Sequence, residues 1–319
     1  MKTSLIATIL NEEENILVFL ESLLTQTTKP QEVIIVDGGS SDQTINHNQK
    51  FIKEHKFSFR FSISTKKGNR SVGRNEAIRQ AKGDIILISD PGCILDKEWV
   101  REILKPFQHT DTDVVAGYYE SKAETTFQKC LVPYVLVMPD RVNPNNFLPA
   151  TRSMGIRKYV WKEMGGFDEI YSHNEDYVFA RKLKKMNKKI VFARKAIVYW
   201  IPRKNIHDAF IMFKRFAYGD MEAGIIRPKV IVVFLRYLLV ALLLGIFVIN
   251  HENFIWYIMG IGFTLYIFWS ISKNYRYVKD WHALYFLPIL QFTSDIAVLQ
   301  GSWNGLVSRK LPRRHKEAI

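Results

Sequence analysis

Val33-Ile34-Ile35-Val36-Asp37-Gly38-Gly39-Ser40-Ser41-Asp42 sets a continuous apolar run directly against an acidic, turn-rich loop. Four β-branched residues without polar alternation fit a strand buried on both faces. The Gly-Gly-Ser-Ser stretch then reverses the chain. The same grammar precedes it. Residues 5–10 are apolar, Asn11 turns the chain, and Asn15 can cap a helix carrying Ile16, Leu20, Leu23, Leu24 and Thr27 at helical spacing until Pro30. It also follows it, with a strand expected over 59–64, a helix over 72–81 and a buried strand over 84–89 that ends in Asp90-Pro91-Gly92-Cys93. Alternating buried strands and helices imply an α/β domain with a mainly parallel central sheet covered on both faces. Ligands of such sheets bind beyond the carboxyl ends of the strands. Asn11 and Glu12, Asp37, and Asp90 occupy those ends. Further on, a strand is expected over 114–116, helices near 157–164 and 175–186, and strands over 190–193 and 197–200.

The chain has 319 residues and a formal charge of +14. Basic residues cluster about the apolar C-terminal stretches: Arg194, Lys195, Arg203, Lys204, Lys214, Arg215, Arg227 and Lys229 before them, and Arg309, Lys310, Arg313, Arg314 and Lys316 after them. That distribution suits an anionic membrane leaflet, and no nucleic-acid motif accompanies it. Two cysteines, Cys93 and Cys130, make neither a disulfide framework nor a zinc pattern, which fits a reducing compartment. The short run over 5–10, followed by glutamates, is not expected to be a signal peptide.

Residues 230–249 form an apolar stretch with Arg236 as its only charge, expected to snorkel to the nearer surface. Residues 254–271 form a second stretch without a charge. The linker Asn250-His251-Glu252-Asn253 lacks Lys and Arg, so the two read as a hairpin with both basic ends cytoplasmic. The third stretch, 282–300, holds Pro288, Gln291, Thr293, Ser294 and Asp295. A spanning path would export the basic tail, so an interfacial or re-entrant path is expected. Phe210, Ile211, Met212, Phe213 and Phe216 alternate with Lys214 and Arg215, as in a helix on the membrane surface or a short core helix. The expected organisation is a catalytic domain over 1–205, an amphipathic segment over 206–229 and a membrane domain over 230–319.

Each strand-end residue has two readings. Asp37 is a turn residue, or it accepts hydrogen bonds from a nucleobase or ribose. Asp90 is a turn residue, or it holds ribose or a Mg²⁺ or Mn²⁺ that neutralises a diphosphate. Lys66-Lys67-Gly68-Asn69-Arg70 ahead of Gly73-Arg74-Asn75 is a solvated basic loop, or a set of cations on a Gly-flexed backbone suited to a diphosphate. Trp200 is core, or a platform for a sugar face.

Taken together, the order and spacing of several motifs resemble the family 2 inverting glycosyltransferases, whose catalytic domain has the GT-A nucleotide-sugar fold. The motifs are Thr8-Ile9-Leu10-Asn11-Glu12-Glu13; 36–44 from Val36-Asp37 to Gln43-Thr44; Gly73-Arg74-Asn75 with Ala81-Lys82-Gly83-Asp84; Asp90-Pro91-Gly92-Cys93; Gly165-Gly166-Phe167-Asp168-Glu169; and Glu175-Asp176. The resemblance implies a nucleotide-sugar donor held by Thr8, Asn11, Glu12, Asp37, Lys67, Gly68, Arg70, Arg74 and Asp90. It implies Asp176 as catalytic base, with Glu175, Trp200 and Arg203 toward the acceptor. Asp90 stands at the first position of the family's Asp-X-Asp motif and would be the metal ligand. Gly92 stands where the second carboxylate is usual, which leaves dependence on a divalent cation open, with Arg70, Arg74 and Arg203 as candidates to share its work. The implied acceptor is a hydroxyl of a lipid or lipid-linked saccharide in cell-envelope glycan synthesis, at the cytoplasmic membrane. The competing reading is an inactive glycosyltransferase-like scaffold in a membrane polysaccharide complex.

Overall fold

The computed structural model describes residues 1–250 and 253–310. The tail residues Arg313, Arg314 and Lys316, and His251 and Glu252 of the linker, lie outside the described residues. The chain divides into two compact units, Met1–Lys122 with Val137–Ile201, and Ala123–Leu136 with Pro202 onward. The short segment from 123 to 136 therefore packs with the C-terminal helices, although it falls inside the expected span of the first domain.

The first unit opens with β1 (Thr3–Ile9), α1 (Ile16–Leu24), β2 (Glu32–Asp37), α2 (Thr44–Glu54), β3 (Arg60–Thr65), α3 (Arg70–Gln80) and β4 (Ile85–Ile88). It continues with β5 (Cys93–Leu95), α4 (Trp99–Leu104) and β6 (Val114–Ser121). After α5 (Thr126–Val135), which belongs to the second unit, come β7 (Met154–Arg157), α6 (Lys158–Glu163), α7 (Glu175–Lys185) and β8 (Ile190–Trp200). One sheet runs β3-β2-β1-β4-β7-β6-β8-β5. The first four strands are parallel, as the apolar runs implied; β7 pairs antiparallel with both β4 and β6, and β5 pairs antiparallel with β8. The two late strands expected over 190–200 are one strand, with a register irregularity against β6 at Gly117/Tyr118. Ile6, Ile34, Val36, Ile86, Ile88, Met154 and Ile156 form one buried core with Ala77 and Ile78 of α3 and Phe179 and Leu183 of α7. On the other side of the domain, α1 buries Ile16, Phe19, Leu20 and Leu23, the one-face spacing of an amphipathic helix.

The second unit comprises α5, α8 (Ile206–Glu222), α9 (Pro228–Asn250), α10 (Asn253–Val278) and α11 (Ala283–Lys310). α5 begins with a capping box, Thr125 with Gln128. It is tied to the α10–α11 turn by Thr126 Oγ1 donating to Asp280 (2.7 Å) and to α11 by Tyr134 donating to the Leu287 carbonyl (3.1 Å). Three helices among the described residues, α9, α10 and α11, are long and apolar enough to cross a membrane. At about 1.5 Å per residue the 23 residues of α9 reach roughly 35 Å. The third stretch is one unbroken helix of 28 residues that does not turn back on itself, with Pro288 inside it.

α11 carries a row of small residues, Ala297, Gly301, Gly305 and Ser308, all on its packed side. A Cβ on Gly301 would run into the Lys214 carbonyl, and one on Gly305 into the Tyr218 carbonyl. These glycines let α8 lie against α11 at backbone distance. Arg236 corrects an expectation. It does not snorkel but pairs with Asp295 of α11 (2.7 Å), with its guanidinium 4.3 Å from the Tyr266 ring of α10. A half-buried cation with a buried carboxylate within reach is held there rather than extended to the surface.

Candidate active site

Parallel strands β2, β1 and β4 lie side by side, so the loops that follow them share one sheet edge. The first two are stitched together. Asn11 adopts a left-handed backbone (φ 53°), and its Oδ1 accepts from the Ser41 amide (2.9 Å) while its own amide donates to Ser40 Oγ (2.9 Å). The Glu12 amide donates to Thr44 Oγ1 (2.7 Å). Asp37 is buried, and its carboxylate accepts from the Gly39 amide (2.9 Å), the Ser40 amide (3.1 Å) and Ser40 Oγ (2.6 Å). It holds its own turn, the structural one of its two readings, and so fixes the loop that any ligand beside it would meet. Thr8 packs against Gly73, where a Cβ would stand 2.8 Å from Thr8 Cγ2. Lys67 lays its aliphatic stem over Gly39, and Gly68 turns above Val72 with φ +150°, a conformation that favours glycine. Lys67 and Arg70 are exposed on this loop.

The third loop meets α3 and α7. Asn69 caps α3 by accepting from the Val72 amide (3.1 Å). One turn on, Asn75 donates to the Phe167 carbonyl (2.8 Å) and accepts from the Phe167 amide (2.9 Å). Gly166 passes so close, at φ +78°, that a Cβ would meet Asn75 Oδ1 at 2.8 Å. The Gly-Arg-Asn and Gly-Gly-Phe motifs are thus two halves of one joint, and it delivers the start of α7 to Arg74.

Arg74 is 1% exposed. Its Nη1 contacts Glu175 Oε1 and its Nη2 donates to Asp90 Oδ1 at 3.0 Å. Arg74 was expected to face a diphosphate; it is instead consumed by two carboxylates. Glu175, expected toward the acceptor, is buried by the same pairing. Burial opposes the charge on Arg74, but Asp90, Glu175 and Asp176 around it hold its pKa above the ordinary value. At Asp90 burial likewise opposes ionisation, yet Arg74, with Arg70 and Arg152, keeps the carboxyl below the usual aspartate range. Asp176 differs. Burial and the adjacent Glu175 charge push its carboxyl above that range, against the pull of Arg74 and Arg152. Two neighbouring carboxylates with opposite shifts is the arrangement that separates an ionic anchor from a proton acceptor.

Trp200 is buried at the end of β8, where it pairs with Cys93 of β5, so its core reading prevails. Arg203 is exposed and belongs to the second unit. Arg152, not expected from the sequence, stands just before β7. The antiparallel β4–β7 register ends where Ile88 pairs with Met154; Arg152 lies in the turn that the Ser153 amide closes on the Ala150 carbonyl (2.9 Å), and its main-chain oxygen accepts from Ser89 Oγ (2.8 Å). Its guanidinium lies 5.2 Å from the centroid of the Tyr119 ring. Among the described residues no group of three or more His, Cys, Asp or Glu side chains is placed to hold a metal ion. Asp90 is the carboxylate at the strand end, with a third of its side chain exposed. A Cβ on Gly92 would meet nothing within 4 Å.

Residues 95–293 match Glycosyl transferase family group 2, and residues 4–162 match Glycosyl transferase family 2. The first match covers more than half of the chain, and the chain belongs to this glycosyltransferase family. Among similar proteins, the uncharacterized glycosyltransferase YfnE of Bacillus subtilis is 32% identical over 122 residues, 37% of this chain and 30% of that protein. The succinoglycan biosynthesis protein ExoA of Rhizobium meliloti is 24% identical over 225 residues, 67% of each chain. The chain spans less than two thirds of the length of several curated relatives it matches. In three dimensions, the mannosyltransferase PcManGT of Pyrobaculum calidifontis, solved with GDP-Man and Mn2+, superposes with a TM-score of 0.61 over 92% of this chain and 86% of that one, at 13% identity. The fold is GT-A-like: an α/β domain with a mostly parallel sheet, followed by apolar helices.

Proposed function

We propose that the protein is an inverting glycosyltransferase. It moves a sugar from a nucleotide-sugar donor to a hydroxyl of a lipid or lipid-linked saccharide in cell-envelope glycan or glycolipid synthesis. The observation that carries this reading is Asp176, a carboxyl raised in pKa beside an anchored Glu175–Arg74–Asp90 chain at the carboxyl edge of the sheet. In the reaction the acceptor oxygen attacks the anomeric carbon as Asp176 takes its proton, and the bond from that carbon to the diphosphate oxygen breaks with both electrons leaving on the nucleoside diphosphate. No covalent enzyme intermediate is required. The loops after β1 and β2, locked together through Asn11, Ser40, Ser41 and Thr44, supply the wall for the nucleoside. Lys67 and Arg70 lie on the adjoining basic loop.

Asp90 fits a role as the protein's one carboxylate on a divalent ion brought in with the donor, since Mg²⁺ is commonly held by one or two carboxylates plus substrate phosphates. Such an ion would neutralise charge on the diphosphate. PcManGT, solved with GDP-Man and Mn2+, supports that use of the fold. The name of the relative ExoA supports a place in polysaccharide assembly.

For the membrane part, α9 and α10 cross as a hairpin with their basic ends on the cytoplasmic side, and α11 lies at the interface. The support is the α8–α11 pair. α8 carries Asp208, Lys214, Arg215, Asp220 and Glu222 and is bound closely along α11 by Gly301 and Gly305. Carrying that charged helix into hydrocarbon would cost about 2.5–3.5 kcal/mol per central charge. A cysteine at exposed Arg309, labelled only from the cytoplasmic side of oriented vesicles, is the expected result. Labelling from outside would refute the topology. The activity itself is tested by nucleoside-diphosphate release from UDP-, GDP- and dTDP-sugars with solubilised protein and membrane lipid extract. One donor is expected to be consumed, and release from none would refute the enzyme reading.

A further inference from the structure

Resting on that reading, we infer that Arg152 grips the diphosphate of the donor and supports the charge that develops on it as it leaves. The cation expected for this task, Arg74, gives both terminal nitrogens to Glu175 and Asp90, which leaves its buried Nε without a partner among the described residues. A diphosphate that approaches Asp90 therefore faces three carboxyl groups, of which two share one guanidinium and so keep a net negative charge. Arg70 and Arg152 are the cations the fold adds there, Arg152 from the turn ahead of β7. The place of Arg152 near Asp90 follows from that turn, where its main-chain oxygen accepts a 2.8 Å hydrogen bond from Ser89 Oγ, one residue before Asp90. Its side chain rests on the face of Tyr119, which holds a planar guanidinium without using its N–H groups. Its Nη1 is buried and has no hydrogen-bond partner among the described residues.

A buried guanidinium nitrogen without an acceptor is costly, and such groups call for an explanation in the site's function. An oxyanion that arrives with the substrate is one that also fits the planar donor fork. The neighbours agree with this placement. Arg152 acts electrostatically on Asp90, on Asp176 and on Cys93, so it stands among the strand-end loop, the base and the start of β5. Gly92 supplies no second carboxylate at this point, and a guanidinium in reach of the same oxygens takes over part of the neutralisation. In the transfer, the bond between the anomeric carbon and the diphosphate oxygen breaks, and the electron pair that stays on that oxygen is met by Arg152 N–H donors already in place.

The test is calorimetric titration of the full chain in detergent with UDP, GDP and dTDP, and with the matching monophosphates, in Mg²⁺ and in EDTA. Arg152→Met and Arg152→Lys are compared with the unmodified protein. Both keep the main-chain oxygen that Ser89 binds, and thermal exposure of buried Cys93 reports whether each is folded. Arg152→Met is expected to lose diphosphate affinity on the order of 10- to 100-fold and to lose most of the preference for diphosphate over monophosphate. Arg152→Lys should keep part of both. Unchanged diphosphate affinity in folded Arg152→Met would overturn the inference, and so would an equal loss for mono- and diphosphate, which marks a structural role. Failure of the unmodified protein to bind any of the three diphosphates would instead overturn the donor reading beneath it.

Discussion

Arg74→Gln removes the guanidinium that bonds to both Glu175 and Asp90. Both side chains of the Arg74–Glu175 pair are almost wholly buried, at 2% and 4% exposure, and Asp90 loses a 3.0 Å partner at the same time. Breaking a buried pair from one side costs about 3–5 kcal/mol, because the remaining charge has neither water nor a counter-ion. For a domain of 150–250 residues each kcal/mol moves the midpoint by about 2–4 °C, so a fall of about 6–20 °C is expected. Cys93 makes the measurement local. It is a buried thiol of the sheet unit, pushed up to about 12 by burial, whereas Cys130 lies in the helical unit. In a Cys130→Ser background, the temperature at which a thiol dye reacts reports the opening of the sheet unit alone. Adding Glu175→Gln removes one stranded charge and should return part of the loss, a coupling that a double-mutant cycle measures. A midpoint within about 2 °C of the parent for Arg74→Gln would show that the pairing carries no weight.

Turnover should rise with pH as Asp176 loses its proton, since a base acts only when deprotonated. Because burial and Glu175 raise its pKa, the midpoint of that limb should lie above the ordinary aspartate value of about 3.9. Glu175→Gln should move it down; an upward move would contradict the assigned cause. Gly92→Asp enters open space and should leave the Cys93 midpoint unchanged while making donor affinity more sensitive to EDTA. An EDTA response equal to the parent's would show that this position does not face the diphosphate. In the helical unit, Arg236→Met takes the cation from Asp295, which keeps its hydrogen bonds from Tyr237, Tyr266 and Gln291, and should lower the midpoint read from Cys130 in a Cys93→Ser background. Arg236→Met with Asp295→Leu should recover most of that loss, and equal damage in the double variant would refute the pairing.

The parallel half of the sheet was legible because β1, β2 and β4 are built on short, mostly apolar runs, each followed by a residue that is a turn or a site. The antiparallel half was not. Met154-Gly155-Ile156-Arg157 is too short to show a period, and β5 looked like the tail of the Asp-Pro-Gly-Cys turn. α2 was missed because its buried face holds Thr44, Asn48 and Phe51, which is not an apolar stripe. Asp90 and Asp176 were singled out through motif order. Arg74 was singled out as well but given a ligand, because its partner Glu175 is 101 residues away and no local pattern encodes that pairing. Arg152 follows Leu148-Pro149-Ala150-Thr151 and reads as part of a loop. Its significance arises only from the pairing that sets β7 beside β4. The small-residue row on α11 was present in the sequence, but hydropathy averages it away, and only the close approach of α8 gives it meaning.

The most direct test of Asp176 as base compares Asp176→Asn with the parent, measuring turnover of the active donor and the dissociation constant of its nucleoside diphosphate in the same preparation. Loss of a positioned base should lower turnover by about 10²–10⁴-fold while nucleotide affinity stays close to the parent's, because the carboxylates that organise Arg74 remain. Turnover near the parent level in a protein that still binds nucleotide would contradict the account.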